Sequence, residues 1–149
     1  MNKEKTLTEY VDPNDLNTHP DFNPNIDDKF IELMQSAMEG ETPVFYAAVP
    51  LCICIPFDID YRPDKPEIGK QLIEEYYQGF ENNDFPPLIV YPNGKWFIVS
   101  DDYMKLFAYL RGNPTHVPCY IMGDTDNNLI QNKQGPINPK DLGKIFGFE

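Results

Sequence analysis

The stretch PPLIVYPNGKWFIVSDDYMKLFAYLRGNPTHVPCYIM, residues 86–122, decides the fold. Leu88–Tyr91 and Lys95–Ser100 are short runs rich in aliphatic and aromatic residues, which suit a half-buried pleated surface. Asn93-Gly94 lies between them, and both residues tolerate the positive φ of a tight hairpin. Ser100 or Asp101 is placed to cap a helix that runs to Arg111 and closes at Gly112-Asn113-Pro114. The acidic groups there also complement the positive end of the helix. Val117–Met122 reads as a further strand. A strand that runs into a helix start gathers free N–H groups at one point, and such units commonly hold anions there. Here the junction is Val99-Ser100-Asp101-Asp102-Tyr103-Met104-Lys105, without glycine, histidine, cysteine or arginine. The architecture is legible; the chemistry is not.

Working outward, Asn25 or Asp27 can cap a helix through Glu39, with Ile26, Phe30, Leu33, Met34, Ala37 and Met38 on a 3.6-residue period. Thr42–Ala48 is extended or a strand, and Leu51–Ile55 is expected to be a strand buried on both faces. A loop from Phe57 to Pro66 leads into a helix over Glu67–Asn82. Leu72, Tyr76 and Phe80 form its apolar stripe, widened by Ile73 and Tyr77. After Met122 come a polar loop, a loose tail and a helix start at Asn138-Pro139-Lys140-Asp141, with Leu142, Ile145 and Phe146 to dock it. Residues 1–24 form a polar arm broken by Asp12-Pro13, His19-Pro20 and Asn23-Pro24. The expected fold is α+β: a small mixed sheet carrying helices in one domain. An arm and helix (1–48) and an extension with a short helix (123–149) flank the core (49–122).

The 149 residues are enough for one respectable core. No run approaches the ~18 apolar residues of a membrane span, and the first residues lack the apolar stretch of a secretory signal. A cytoplasmic protein is expected, from a bacterial or phage-infected cell. Twelve basic residues against 24 acidic ones give a net charge of −12. That balance opposes non-specific nucleic-acid binding, which depends on Lys and Arg displacing counterions. It suits solubility, or a surface that meets a basic partner. The three cysteines, Cys52, Cys54 and Cys119, lie in apolar runs and are expected to be buried free thiols. His19 and His116 stand far apart, with no metal-ligand spacing around them.

From Val49 to Met122 the order of elements resembles the ParB/sulfiredoxin-like fold. The resemblance rests on Phe57-Asp58-Ile59-Asp60-Tyr61-Arg62-Pro63, which is similar to that family's arginine-proline loop. It also rests on the Pro86-Pro87-Leu88-Ile89-Val90 strand, the hairpin, the helix and the Val117-Pro118-Cys119 strand. The family carries a Gly-x-x-Arg box at the helix start, where glycine admits phosphate and arginine forks onto it. Asp102 stands here at the glycine and Lys105 at the arginine; Tyr103 and Met104 occupy the positions of the sulfiredoxin cysteine and histidine. A lysine holds phosphate only as a point charge, and Asp101 and Asp102 would repel it unless a divalent ion lay between.

The resemblance therefore implies a degenerate member. Arg62, Ser100, Asp101, Asp102 and Lys105 are the candidate phosphate or nucleotide site, with no catalytic residue and no metal assigned. The expected function is a non-enzymatic, acidic protein-binding module of an accessory or regulatory kind, encoded by a phage or mobile element. No cofactor, membrane or direct DNA contact is expected, and homo-oligomerisation is left open. Two rivals stand beside it. One is a CTP- or ATP-binding switch or enzyme using the residual phosphate site with Mg²⁺. The other is a DNA mimic that inhibits a nucleic-acid-binding protein.

Overall fold

The computed structural model describes residues 27–58, 66–100 and 103–147. It is an α+β fold in which a six-stranded mixed sheet carries helices on both faces. In chain order the elements are α1 (Asp28–Met38), β1 (Val44–Pro50), β2 (Cys54–Pro56) and α2 (Pro66–Glu81). Then follow β3 (Leu88–Asn93), β4 (Trp96–Val99), α3 (Tyr103–Gly112), β5 (His116–Met122), β6 (Gln131–Gln134) and α4 (Leu142–Ile145). The strand order is β2-β4-β3-β5-β1-β6. The β2–β4 and β3–β5 pairs are parallel and the others antiparallel. The sheet thus extends beyond the expected core of residues 49–122: β1 begins before it, at Val44, and β6 lies after it.

Side chains alternate across the strands, and each face makes its own core. Ala47, Val49, Leu88, Val90, Phe97, Val99, Val117, Cys119 and Ile121 point to the face covered by α2 and α3. From those helices come Ile73 and the run Met104–Leu110, with Tyr76 and Phe80 partly buried beside them. Val44, Ile89, Tyr91, Ile98 and Met122 point the other way, under Phe30 and Ala37 of α1 and Leu142 of α4. Full burial of one such aliphatic or aromatic side chain contributes about 1.5–3 kcal/mol.

The expected helices form near their expected bounds, and several details differ. Leu51–Ile55 is not one strand: Leu51–Ile53 makes a 3-10 turn, and only Cys54–Pro56 pairs, with β4. Pro50 and Pro56 bracket the segment, so the ladder hydrogen bonds of a longer strand are missing, and the Leu51 amide turns to Thr115 O at 3.0 Å. Cys52 is consequently exposed, whereas Cys54 and Cys119 are buried. Burial, and then the neighbouring Cys54, push the Cys119 thiol well up.

Leu72 and Met38 face outward instead of joining the apolar stripes; Ile73 is the buried hydrophobic side chain of α2. The hairpin closes through Gly94-Lys95, one residue later than expected, because Asn93 pairs with Trp96. Gly94 takes φ +62° at the first loop position, where a turn of this kind needs glycine. Ile26 and the 1–24 arm lie outside the described residues.

Strand β6 has no counterpart in the sequence reading, since Gln-Asn-Lys-Gln offers no hydrophobic alternation. It is held by pairing with β1 and by the path of Gly135. That glycine has φ +124°, and a Cβ there would stand 3.0 Å from Val44 O and 3.1 Å from Ile137 N. Gly135→Ala is therefore expected to destabilise by about 2 kcal/mol or more, from backbone strain plus a clash with immobile atoms. Gly94→Ala, with no atom within 4 Å, should cost less. Paired urea titrations check the order, and equal midpoints would refute it.

Candidate functional site

The junction of β4 and α3 was the site expected from the sequence, and its described residues are turned toward the body. Ser100 reaches back to the start of α1. Its hydroxyl donates to Asp27 Oδ2, the same oxygen that accepts from Tyr91 OH at 2.9 Å. Asp27 Oδ1 meanwhile accepts from the Phe30 amide at 3.2 Å, so one carboxylate caps α1 and ties it to β3 and to the end of β4. Asp27 is only 8% exposed, and three donors satisfy it. Burial, and then the hydrogen bond and charge of Asp27, push the Tyr91 phenol up, so Tyr91 remains a donor.

Lys105 Nζ donates to Pro87 O at 3.1 Å, bracing α3 against the lead-in to β3. Tyr103 OH accepts from the Asp58 amide at 2.9 Å. Arg62, Asp101 and Asp102 lie outside the described residues. Ser100 and Lys105 each hydrogen-bond into the body, to Asp27 and to Pro87 O. Among the described residues there is no group of three or more His, Cys, Asp or Glu that could hold a metal ion, and no helix is long and apolar enough to cross a membrane.

A second site lies where sequence reasoning did not look. Among the described residues, helices α1 and α4 cover only part of their face of the sheet. Beyond them the same face is formed by Tyr46 and Ala48 of β1 and by His116, Pro118 and Tyr120 of β5. The register pairs Tyr46 with Tyr120, Ala48 with Pro118 and Pro50 with His116, so these side chains share one side. Residues 116–118 also run past the start of β3, whose Leu88 pairs with Cys119. Pro118 can sit there because the β3 ladder has not yet begun.

The result is a trough. One cavity, of about 600 Å³, lies between this floor, Phe85, Tyr109 and Pro114 on one side and Asn132 and Gln134 on the other. A second, of about 440 Å³, adjoins it and runs past Pro87 and Tyr120 to Pro136 and Ile137. Tyr46 and Gln134 border both. The Tyr46 and Tyr120 rings lie 5.0 Å apart and tilted, and burial, then Tyr120, push the Tyr46 phenol up.

Phe85 stacks on Phe80 at 5.5 Å, and Phe80 stacks on Tyr109 at 4.7 Å. Tyr109 OH donates to Pro86 O at 2.7 Å. Its phenol is pushed up by burial foremost, then by Cys119, Tyr46 and the carboxylate of Asp84. Asp84 is exposed and directly precedes Phe85 in the chain, so a carboxylate stands at the Phe85 end. The signal that could have found the trough is the same-face repeat of Tyr46 with Ala48 and Pro118 with Tyr120, where a buried strand would carry aliphatics. No protein-family model and no curated protein sequence matches the chain.

Proposed function

We propose that this chain is a non-enzymatic protein-binding module on a degenerate ParB/sulfiredoxin-like fold, acting as an accessory or regulatory factor of a phage or mobile element. Its acidic surface meets a basic partner. The observation that carries the reading is the use of Ser100 and Lys105 as braces. The Ser100 hydroxyl donates to Asp27, and Lys105 Nζ donates to Pro87 O. The acids meanwhile face outward: Asp28, Glu32, Glu39 and Glu41 on and just after α1, and Glu67, Glu75, Glu81 and Asp84 along α2 and its exit. Arg111, one of the few cations among them, is occupied by Glu74 and by the Tyr77 ring, 4.2 Å away.

The test pairs two titrations of the full chain. An arginine-rich polypeptide should bind, and should weaken steeply between low and physiological salt. Millimolar CTP, ATP or GTP with Mg²⁺ should leave the melting temperature unchanged. A bound nucleotide at 100 times its dissociation constant would add about 2.7 kcal/mol, visible as a shift of several degrees. A nucleotide-specific shift that Lys105→Ala abolishes would replace this proposal with a nucleotide switch.

A further inference from the structure

The trough narrows what kind of basic partner fits, and the argument rests on the protein-binding reading above. We propose that the trough across β1 and β5 receives an extended, proline-rich segment with a basic residue at the Asp84 end. Its floor is about two strands wide, roughly 10 Å, which suits a single extended chain. The lining carries aromatic rings and prolines and no Asp, Glu, Lys or Arg.

A polyproline II segment has no internal hydrogen bonds. It presents rigid rings to aromatic faces and leaves its carbonyls free to accept. The matching donors stand along the trough: the Tyr46 hydroxyl and the side-chain amides of Asn132 and Gln134. The rigidity of the segment reduces the entropy lost on docking. Asp84, exposed and next in the chain to the lining residue Phe85, supplies the acidic end.

Addition of a strand to a sheet edge is the competing mode, and both edges are blunted against it. β2 is three residues long and ends in Pro56. β6 shifts register against β1 and holds Asn132 at φ +57°.

The experiment uses the full chain and three synthetic peptides, followed by fluorescence polarisation. The first carries repeated proline pairs flanked by arginine, the second replaces its prolines by alanine, and the third replaces its arginines by glutamine. The first should bind about tenfold or more tightly than the second and several-fold more tightly than the third. Tyr46→Ala should weaken the first peptide about tenfold, the loss typical of truncating an aromatic anchor. Asp84→Lys should weaken it and flatten its salt dependence. Phe85 is 47% exposed, so Phe85→Ser is the variant that decides if Tyr46→Ala fails to fold.

Equal binding of the proline and alanine peptides would overturn the trough as the site while leaving the basic-partner reading intact. So would binding that both Tyr46→Ala and Phe85→Ser leave unchanged. No binding of either arginine-bearing peptide would remove both.

Discussion

Asp27→Ala is expected to remove about 4 kcal/mol of folding stability and lower the melting temperature by roughly 8–16 °C. The carboxylate caps α1 through the Phe30 amide, and losing such a cap costs about 1 kcal/mol. It is also the acceptor for Tyr91 OH and for the Ser100 hydroxyl. Leaving two largely enclosed hydroxyls without it costs about 1–3 kcal/mol each, and part of that is recovered where water reaches half-buried Ser100. Removing the donors should be milder, because Tyr91→Phe and Ser100→Ala leave the carboxylate two of its three partners; about 1 kcal/mol each is expected. These two substitutions converge on one oxygen, so their effects should not add. Asp27→Asn keeps the cap oxygen and should fall between wild type and alanine. Urea unfolding of the four variants measures all of this, and an Asp27→Ala midpoint within error of wild type would sink the account.

Asp27 also marks the boundary of what the sequence discloses. Its place before an apolar period makes it, with Asn25, one of two candidate helix caps, because capping is a local event read within three residues. That the same carboxylate reaches Tyr91 and Ser100 depends on contacts 64 and 73 residues away. Nothing local encodes those. The hairpin, α2 and α3 are legible for the same reason as the cap: period, turn chemistry and stop signals are short-range. β6 is not legible, since a polar edge strand is held by its neighbour's register and by the backbone path at Gly135. Leu51–Ile55 misleads because an apolar run reads alike as a buried strand or a buried turn, and the flanking prolines are what decide it. Ser100 and Lys105 stand at a helix start, an anion-binding geometry that the sequence alone displays. The acceptors that claim them, Asp27 and Pro87 O, enter only through tertiary structure. The trough was hidden for a related reason. Tyr46 and Tyr120 look like ordinary strand aromatics until the helices are seen to cover only part of the face.

That uneven coverage implies uneven stability, and Phe107→Ala against Leu142→Ala should expose it. Both side chains are 1% exposed, yet they serve different layers. Phe107 sits on the buried run of α3, within the larger core that also joins α2 to five strands. Its neighbours are fixed on every side, so the space left by truncation cannot collapse, and about 3–5 kcal/mol should be lost in a global transition. Leu142 anchors α4, a helix of four residues whose other contacts, Ile145 and Phe146, are only partly buried. Its loss, nearer 2 kcal/mol, should appear first as local opening of the C-terminal segment. Hydrogen exchange separates the two cases. Phe107→Ala should accelerate the slowest amides of β3, β4 and β5 together. Leu142→Ala should accelerate α4 and its lead-in while the central strands keep their protection. If Leu142→Ala instead lowered protection across the central sheet by as much as Phe107→Ala, the two faces would form one cooperative unit. The face that carries the trough would then not be the softer half of the molecule.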